Sequence, residues 1–181
     1  MTKTQYYVAA SLDGYIADAD GKLEWLFPFD KVQGVREHYE RFIEDVSVLA
    51  MGSATYRFMF EQGVEWPYAD KPTWVFTHRE QLAIPGANLH FTQDDVGAVH
   101  AAMRAAANGK NIWLVGGGAL ATQFAGRGLI DELWLATIPV VLGAGAPLFQ
   151  GPLLAPMIIL GVDHFEDRAL STRYRLAPTA A

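Results

Sequence analysis

The stretch that decides the fold is residues 111–124, which read N-I-W-L-V-G-G-G-A-L-A-T-Q-F. The apolar run 112–115 is short and bounded by Asn111 and the glycines, which predicts a strand buried on both faces. Three consecutive glycines let the chain turn and let its backbone approach another molecule closely. Residues 119–125 favour a helix. Because a strand, a glycine turn and a helix start direct backbone N–H groups and the positive end of the helix dipole at one point, this stretch suits a phosphate.

The glycine triplet also permits other interpretations. A plain tight turn explains it, and Gly116, Gly118 and Ala121 match the G-x-G-x-x-A motif of Rossmann folds. In a Rossmann unit, however, the motif opens the domain and an acidic residue ends the second strand, about 20 residues later. Here the motif comes late, and the next strand runs into Pro139 without an acid. A nucleotide site at this point therefore belongs to another kind of α/β sheet.

Composition narrows the class of protein. The chain has 181 residues, of which 51% are apolar, and this predicts one compact domain with a sizeable core. A formal net charge of −6 argues against nucleic acid or an anionic membrane surface as a partner, because both attract basic surfaces. The absence of cysteine excludes disulfides, a thiolate nucleophile and a zinc–sulfur site. No apolar run approaches the roughly 20 residues of a membrane span, so we expect a soluble, cytoplasmic protein.

Strand and helix patterns alternate along the chain. Strands are predicted at residues 6–10, 46–51, 73–77, 89–91, 112–115, 133–141, 157–165 and 169–176, and helices at 35–43, after Gly52, from Asp94 or Asp95 to about Ala107, and at 119–125. This order predicts an α/β fold, a three-layer αβα sandwich whose mostly parallel sheet ends in an antiparallel C-terminal hairpin. Ligands of such sheets bind at the carboxyl ends of the strands. Residues 9–11, 52–55, 77–79 and 116–119 should therefore converge.

Motifs in those four places resemble the dihydrofolate reductase-like superfamily. They are A-A-S-L-D-G-Y-I-A at 9–17, M-G-S-A-T-Y at 51–56, V-F-T-H-R at 75–79, and I-W-L-V-G-G-G-A-L-A-T-Q-F at 112–124 followed by L-I-D-E-L-W-L-A-T-I-P-V-V-L-G-A-G-A-P-L-F at 129–149. Within the superfamily, the chain is similar to small single-domain proteins like the reductase half of the bifunctional riboflavin deaminase-reductase. The similarity in order and spacing extends over nearly the whole chain.

The resemblance implies NADPH as cofactor and assigns its contacts by position. Ala9, at the end of the first strand, would hold the nicotinamide carboxamide, with Ile16 covering the ring. The other contacts implied are Gly52, Ser53 and Thr55 along the pyrophosphate, Thr77, His78 and Arg79 at the adenosine 2′-phosphate, and Val115, Gly116, Gly117, Gly118, Ala119 and Leu120 around the diphosphate. In the family, a cis peptide commonly joins the first two glycines.

Several of these positions have plainer explanations. Arg79 carries a planar, permanent charge that suits phosphate, but a surface charge explains it too. His78 is also typical of an ordinary polar residue at a strand end. Dihydrofolate reductases usually continue the M-G motif with a basic residue, whereas Ser53 follows here. The preference for NADPH over NADH therefore depends mainly on Arg79.

The resemblance implies an NADPH-dependent reductase that transfers hydride to a small heterocyclic substrate, similar to 5-amino-6-(5-phosphoribosylamino)uracil reductase of riboflavin biosynthesis. The alternatives are a dihydrofolate reductase and a non-catalytic NADPH-binding module. Residues 61–71 lack the Asp-Asp-Pro segment of the riboflavin-pathway enzymes, which leaves the substrate open.

Our catalytic hypothesis places Asp13, Trp25 and the region of Glu37 beside the substrate, with Asp13 as the acid. Turn chemistry before Gly14 explains Asp13 as well, and Trp25 either belongs to a flap or anchors a surface loop. Dihydrofolate reductases carry an acid on the first helix, but the turn near Arg36 and Glu37 offers no clear counterpart.

The sequence also bears on other enzyme classes and on the oligomeric state. A metal hydrolase is not expected, because the five histidines are scattered without ligand spacing. Neither a G-x-S-x-G nucleophile motif nor a G-x-x-x-x-G-K phosphate loop occurs. The apolar stretches 133–142 and 153–160 suggest a homodimer, as relatives in this family often form, although burial within one subunit explains them nearly as well.

Overall fold

The computed structural model describes residues 1–61 and 66–176. Its strands are β1 (Thr4–Ser11), β2 (Tyr15–Ala17), β3 (Val46–Gly52), β4 (Thr73–Phe76), β5 (Leu89–Thr92), β6 (Asn111–Gly116), β7 (Glu132–Ile138), β8 (Ala146–Pro147), β9 (Ile158–Phe165) and β10 (Ala169–Arg175). Its helices are α1 (Val35–Glu44), α2 (Ser53–Glu61), α3 (Val96–Ala107) and α4 (Gly118–Gly126), with a 3-10 helix at Phe27–Phe29.

Eight strands form one sheet in the order β5-β4-β3-β6-β1-β7-β10-β9. Every pair from β5 to β7 is parallel, whereas β10 pairs antiparallel with both β7 and β9. The turn between β9 and β10 closes where the N–H of Arg168 donates to the carbonyl of Phe165 at 3.1 Å. The predicted parallel sheet with an antiparallel C-terminal hairpin is confirmed.

Helices cover both faces of the sheet. On one face, Met103 of α3 and Phe124 of α4 pack with Tyr6 in a fully buried cluster. On the other face, Phe42 of α1 and Tyr56 of α2 pack with a second set of strand residues. Because successive side chains of a strand point to opposite faces, the apolar runs of the inner strands serve both clusters. This arrangement is the predicted three-layer sandwich.

The structure also contains elements that the sequence patterns did not predict. The short strands β2 and β8 form a two-stranded sheet of their own, which ties the loop after β1 to the glycine-rich loop after β7. Strand β7 ends at Ile138 and does not reach residue 141, because Pro139 cannot donate to the ladder. Of the predicted irregular segment 61–71, residues 62–65 lie outside the described residues. Among the helices described, none is long and apolar enough to span a membrane.

Candidate functional site

A cavity of about 1160 Å³ opens at the carboxyl ends of the parallel strands. The predicted cofactor residues in its wall are Ala9, Ile16, Gly52, Ser53, Thr55, Thr77, His78, Val115, Gly116, Gly117, Gly118, Ala119 and Leu120. Each of the four predicted segments contributes to this list, so the fold brings them together. Arg79 is the exception among these residues, because it borders an adjoining recess.

The junction between β6 and α4 brings backbone N–H groups to the cavity. The N–H of Ala121 donates to the carbonyl of Gly117 at 3.0 Å, so the N–H groups of residues 118–120 precede the first bond of the helix. Gly116 has φ +135°, a conformation that favours glycine, and the Gly116–Gly117 peptide is cis. A Cβ at Gly118 would collide with the carbonyl oxygen of Pro147. The glycines therefore allow the helix start and the β8 loop to meet at the cavity wall.

A second helix start lies beside the first. Met51 of β3 pairs with Gly116 of β6, so the junctions that follow these two parallel strands are neighbours. A Cβ built on Gly52 would lie 3.8 Å from the carbonyl oxygen of Gly116, and Thr55 Oγ1 lies 3.7 Å from a Cβ built on Gly116. Neither α2 nor α4 has an acidic residue in its first turn. Two helix dipoles therefore present uncompensated positive ends to the same part of the cavity, as an anion such as a diphosphate requires.

The end of β4 leads to the adjoining recess, which measures about 400 Å³. Arg79 lines it together with Thr77, and Thr92 and Gln93 also face both this recess and the main cavity. The hydroxyl of Thr77 accepts from the N–H of Arg79 at 3.1 Å and holds the turn. Within the described part of the chain, the Arg79 guanidinium forms no ion pair. Its charge is therefore available to an anionic ligand in the recess.

Ile16 and Asp13 follow β1 but have different surroundings. Ile16 lies in the cavity wall, and its Cδ1 is 3.8 Å from a Cβ built on Gly117. Asp13 is not among the lining residues. Its carboxylate accepts from the hydroxyl of Ser11 at 2.6 Å and from the N–H groups of Leu142 at 3.1 Å and Gly143 at 2.7 Å. These bonds, the one from Ser11 first, lower the pKa of Asp13, which disfavours proton donation. The structure gives Asp13 a role in holding the loop at 142–143, and its predicted catalytic role stays a prediction.

Trp25 and Glu37, which we expected near Asp13, do not line the cavity either. Trp25 packs in a small apolar cluster with Val32 and Phe165, and its indole N–H is buried without a hydrogen-bond partner among the described residues. Glu37 is exposed in the first turn of α1. Between its two predicted roles, Trp25 therefore fits the anchor of a surface loop.

Sequence reasoning missed the part of the cavity wall that comes from the 3-10 helix, α1 and the C-terminal hairpin. This part includes Leu26, Phe29, Asp30, Val35, Tyr39 and Phe165. Asp30 is the only acid in this group. Partial burial raises its pKa, and no hydrogen bond or ion pair to its carboxylate is found among the described residues. The one sequence signal was the acid after F-P-F, which has no periodic pattern around it.

The fold and the site together point to a class of protein. A mostly parallel α/β sheet has its strand ends and two adjacent helix starts around one cavity, which is an arrangement that suits an anionic ligand such as a nucleotide. The chain belongs to the RibD C-terminal domain family, whose model matches residues 2–170. The expected dihydrofolate reductase-like fold is thereby confirmed.

Relatives by sequence include two bacterial proteins. The uncharacterized protein YwjB of Bacillus subtilis (strain 168) is 36% identical over 149 residues, which cover 82% of this chain and 83% of that protein. Riboflavin biosynthesis protein RibD of Corynebacterium ammoniagenes is 27% identical over 154 residues, which cover 80% of this chain but 45% of that protein. The similarity to this RibD is thus confined to less than half of its length.

Solved structures agree with this assignment. A protein of Shewanella sp. PV-4, provisionally named as a riboflavin biosynthesis protein, has a TM-score of 0.82 and 28% identity, with 97% of this chain and 99% of that chain covered. The Thermotoga maritima diaminohydroxyphosphoribosylaminopyrimidine deaminase/5-amino-6-(5-phosphoribosylamino)uracil reductase has a TM-score of 0.70 and 16% identity, with 97% of this chain and 57% of that chain covered. The second likeness concerns the fold alone.

Proposed function

We propose that this protein is an NADPH-dependent reductase that transfers hydride to a small heterocyclic substrate. The proposal rests on one observation. The helix starts that follow Gly52 and Gly117 are adjacent, have no acidic residue in their first turns, and line the same cavity as the end of β1. Membership of a family named for a domain of RibD supports a reductase rather than another nucleotide-dependent reaction.

The residues present fit NADPH part by part. The N–H groups at the starts of α2 and α4 would bind the diphosphate, because both helices direct their positive ends there. Arg79, whose guanidinium forms no ion pair among the described residues, would bind the adenosine 2′-phosphate from the adjoining recess. Ala9 and Ile16 would hold the nicotinamide near the end of β1, where both line the cavity and Ile16 Cδ1 lies 3.8 Å from a Cβ built on Gly117.

The chemistry divides between cofactor and protein. The reduced nicotinamide supplies the hydride, and the protein positions the substrate and excludes water. Reduction of a C=N or C=O group also requires one proton. Asp30 is suited to provide it, because its carboxyl group lines the cavity and partial burial raises its pKa, which favours the protonated form.

Arg79→Ala tests the cofactor assignment. A hydrogen bond to a charged group contributes about 1.5–3 kcal/mol, so we expect NADPH to bind about 10- to 150-fold more weakly. The affinity for NADH should change by less than about twofold, because NADH has no 2′-phosphate. Titration of cofactor fluorescence measures both affinities.

Arg175→Ala is the matched control, because Arg175 is exposed on β10 and lines neither cavity. An equal loss of NADPH and NADH affinity in Arg79→Ala would contradict the role of Arg79. No binding of either reduced cofactor to the wild-type protein would refute the proposed function. Binding without any oxidation of NADPH by heterocyclic acceptors would instead indicate a non-catalytic binding module.

A further inference from the structure

The part of the cavity not assigned to the cofactor has an unusual chemical character. We call it the substrate region, and its wall is formed by Leu26, Phe29, Asp30, Val35, Tyr39 and Phe165. Three of these side chains are aromatic and two are aliphatic. Tyr39 also packs edge-on against Tyr7 and Trp113, which line the cavity beside it. Such walls bind flat rings by stacking and by apolar contact.

Among the described residues, no Lys or Arg lines the main cavity. The chain contains 14 Lys and Arg residues, all within the described ranges, and none of them belongs to the wall of the main cavity. The guanidinium of Arg168 lies 5.9 Å from the ring centre of Phe29, although Arg168 is not itself a lining residue. Arg36 on α1 is exposed and pairs with Glu40 at 2.8 Å. Arg79 lies in the adjoining recess, beyond the residues assigned to the diphosphate.

The start of α1 does not replace the missing cation. Val35, its first residue, lines the substrate region, so this helix dipole reaches the cavity wall. However, the first turn of α1 already contains Glu37, whose carboxylate opposes the approach of another anion. Asp30 adds a carboxyl group, which provides hydrogen-bonding oxygens but no positive charge. The substrate region can therefore accept from N–H donors, and it has no basic side chain to pair with an anion.

We propose that the substrate is a flat nitrogen heterocycle that carries N–H donors and no phosphate group. This inference rests on the proposed function and names its substrate class. A phosphate with a charge of about −2 that entered the substrate region would lose water without a Lys or Arg to pair with it, which costs free energy. The oxygens of the Asp30 carboxyl group have no partners among the described residues. In its neutral form this group can accept from a ring N–H and donate its O–H to the neighbouring ring nitrogen of an amidine-like edge. The phosphoribosyl pyrimidine named for the Thermotoga maritima reductase would be excluded.

A matched pair of ligands tests the proposal. The probes are 5-amino-6-(5-phosphoribosylamino)uracil and the same compound without its phosphate, titrated calorimetrically into the protein saturated with NADP⁺. We expect the dephosphorylated compound to bind about tenfold more tightly or better. Asp30→Leu should weaken its binding by about tenfold, because the hydrogen bonds to the Asp30 carboxyl group are lost. Equal or tighter binding of the phosphorylated compound would overturn the proposal, and so would binding of neither compound.

A gain-of-function variant provides a second test. Val35→Lys would place a cation in the substrate region, and we expect it to improve binding of the phosphorylated compound relative to the dephosphorylated one by about tenfold. An unchanged ratio in a folded variant would count against the proposal. NADPH binding, followed separately by its fluorescence, distinguishes this failure from that of the proposed function. Loss of cofactor binding refutes the reductase, whereas tight binding of the phosphorylated compound with intact cofactor binding refutes only the substrate class.

Discussion

Asp13 and Asp30 illustrate how surroundings decide what a carboxyl group can do. Asp13 accepts three hydrogen bonds that favour its charged form and lower its pKa. Among the described residues, the only influence on the pKa of Asp30 is partial burial. Burial favours the neutral form of its carboxyl group and so raises its pKa. A proton donor at neutral pH needs the second kind of environment. At the scale of single residues, the site therefore favours Asp30 as the acid.

His38 is a buried group outside the proposed chemistry that predicts a pH dependence of stability. Its Nδ1 lies 2.9 Å from the hydroxyl of Tyr7, and its Nε2 is buried 3.6 Å from a carboxylate oxygen of Asp163 without a hydrogen bond. Burial lowers the pKa of His38, Asp163 opposes this shift, and Arg41 and Arg173 add to it. Protonation therefore costs more in the folded than in the unfolded state.

The free energy of unfolding should consequently decrease as the pH falls from about 6.5, the ordinary histidine pKa, through the lowered pKa of folded His38. His38→Gln, which keeps an acceptor for Tyr7, should flatten this decrease. Urea unfolding between pH 7 and 5 measures it. The variant will retain a smaller pH dependence, because burial also lowers the pKa of His100. An identical slope in both proteins would show that His38 does not titrate with folding.

At the scale of elements, the two strand-to-helix junctions are the feature on which the site depends. Their adjacency follows from the parallel pairing of β3 with β6, which puts Gly52 and Gly116 at neighbouring strand ends. The close contact between the start of α4 and the β8 loop adds a steric requirement. Gly118 leaves no room for a side chain there, because the carbonyl oxygens of Pro147 and Leu148 occupy the space.

Gly118→Ala should therefore destabilise the protein by about 1–3 kcal/mol, since backbone atoms have to move to make room. Gly126→Ala is the matched control on the same helix, because nothing lies within 4 Å of a Cβ at that position. We expect the control to be neutral or slightly stabilising. Thermal unfolding compares them, and a shift in melting temperature of roughly 2–4 °C corresponds to 1 kcal/mol for a chain of this size. Equal stability of the two variants would refute the steric role of Gly118.

At the scale of the whole molecule, the C-terminal hairpin forms one end of the sheet and leaves apolar side chains uncovered. Ile159 is 62% exposed, Ile158 55% and Val162 46%, and all three lie on the edge strand β9. An edge strand with unpaired N–H and C=O groups and exposed apolar residues can pair with the same strand of a second copy about a twofold axis. The homodimer predicted from the sequence would place its interface here.

We expect light scattering to give twice the chain mass of 19.9 kDa for the wild-type protein. Ile159→Lys should shift it to the monomer mass, because the substitution puts a charge into the interface while the monomer leaves that position exposed. Leu82→Lys is the control, since Leu82 is 73% exposed far from β9 in the chain. A wild-type monomer at micromolar concentration would refute the dimer.

Most of the fold could be predicted from the sequence, because apolar periodicity and the positions of turn-forming glycines are local properties of the chain. Sequence patterns predicted the strand at 112–115, the glycine turn and the helix after it. They also predicted that the four strand ends converge. The short strands β2 and β8 were not predicted, because their pairing joins loops that are far apart in sequence and produces no periodic pattern.

The wall of the substrate region was decided only by the tertiary structure. Asp30 follows the 3-10 helix at Phe27–Phe29, and it borders the cavity because Val35 of α1 and Phe165 of the C-terminal hairpin pack around that helix. Local patterns report which residues form strands and helices, but the surroundings and pKa of a carboxyl group depend on residues distant in the chain. The sequence therefore determined the fold and the candidate cofactor residues, while the tertiary structure alone decided that Asp30 lies in the wall of the substrate region.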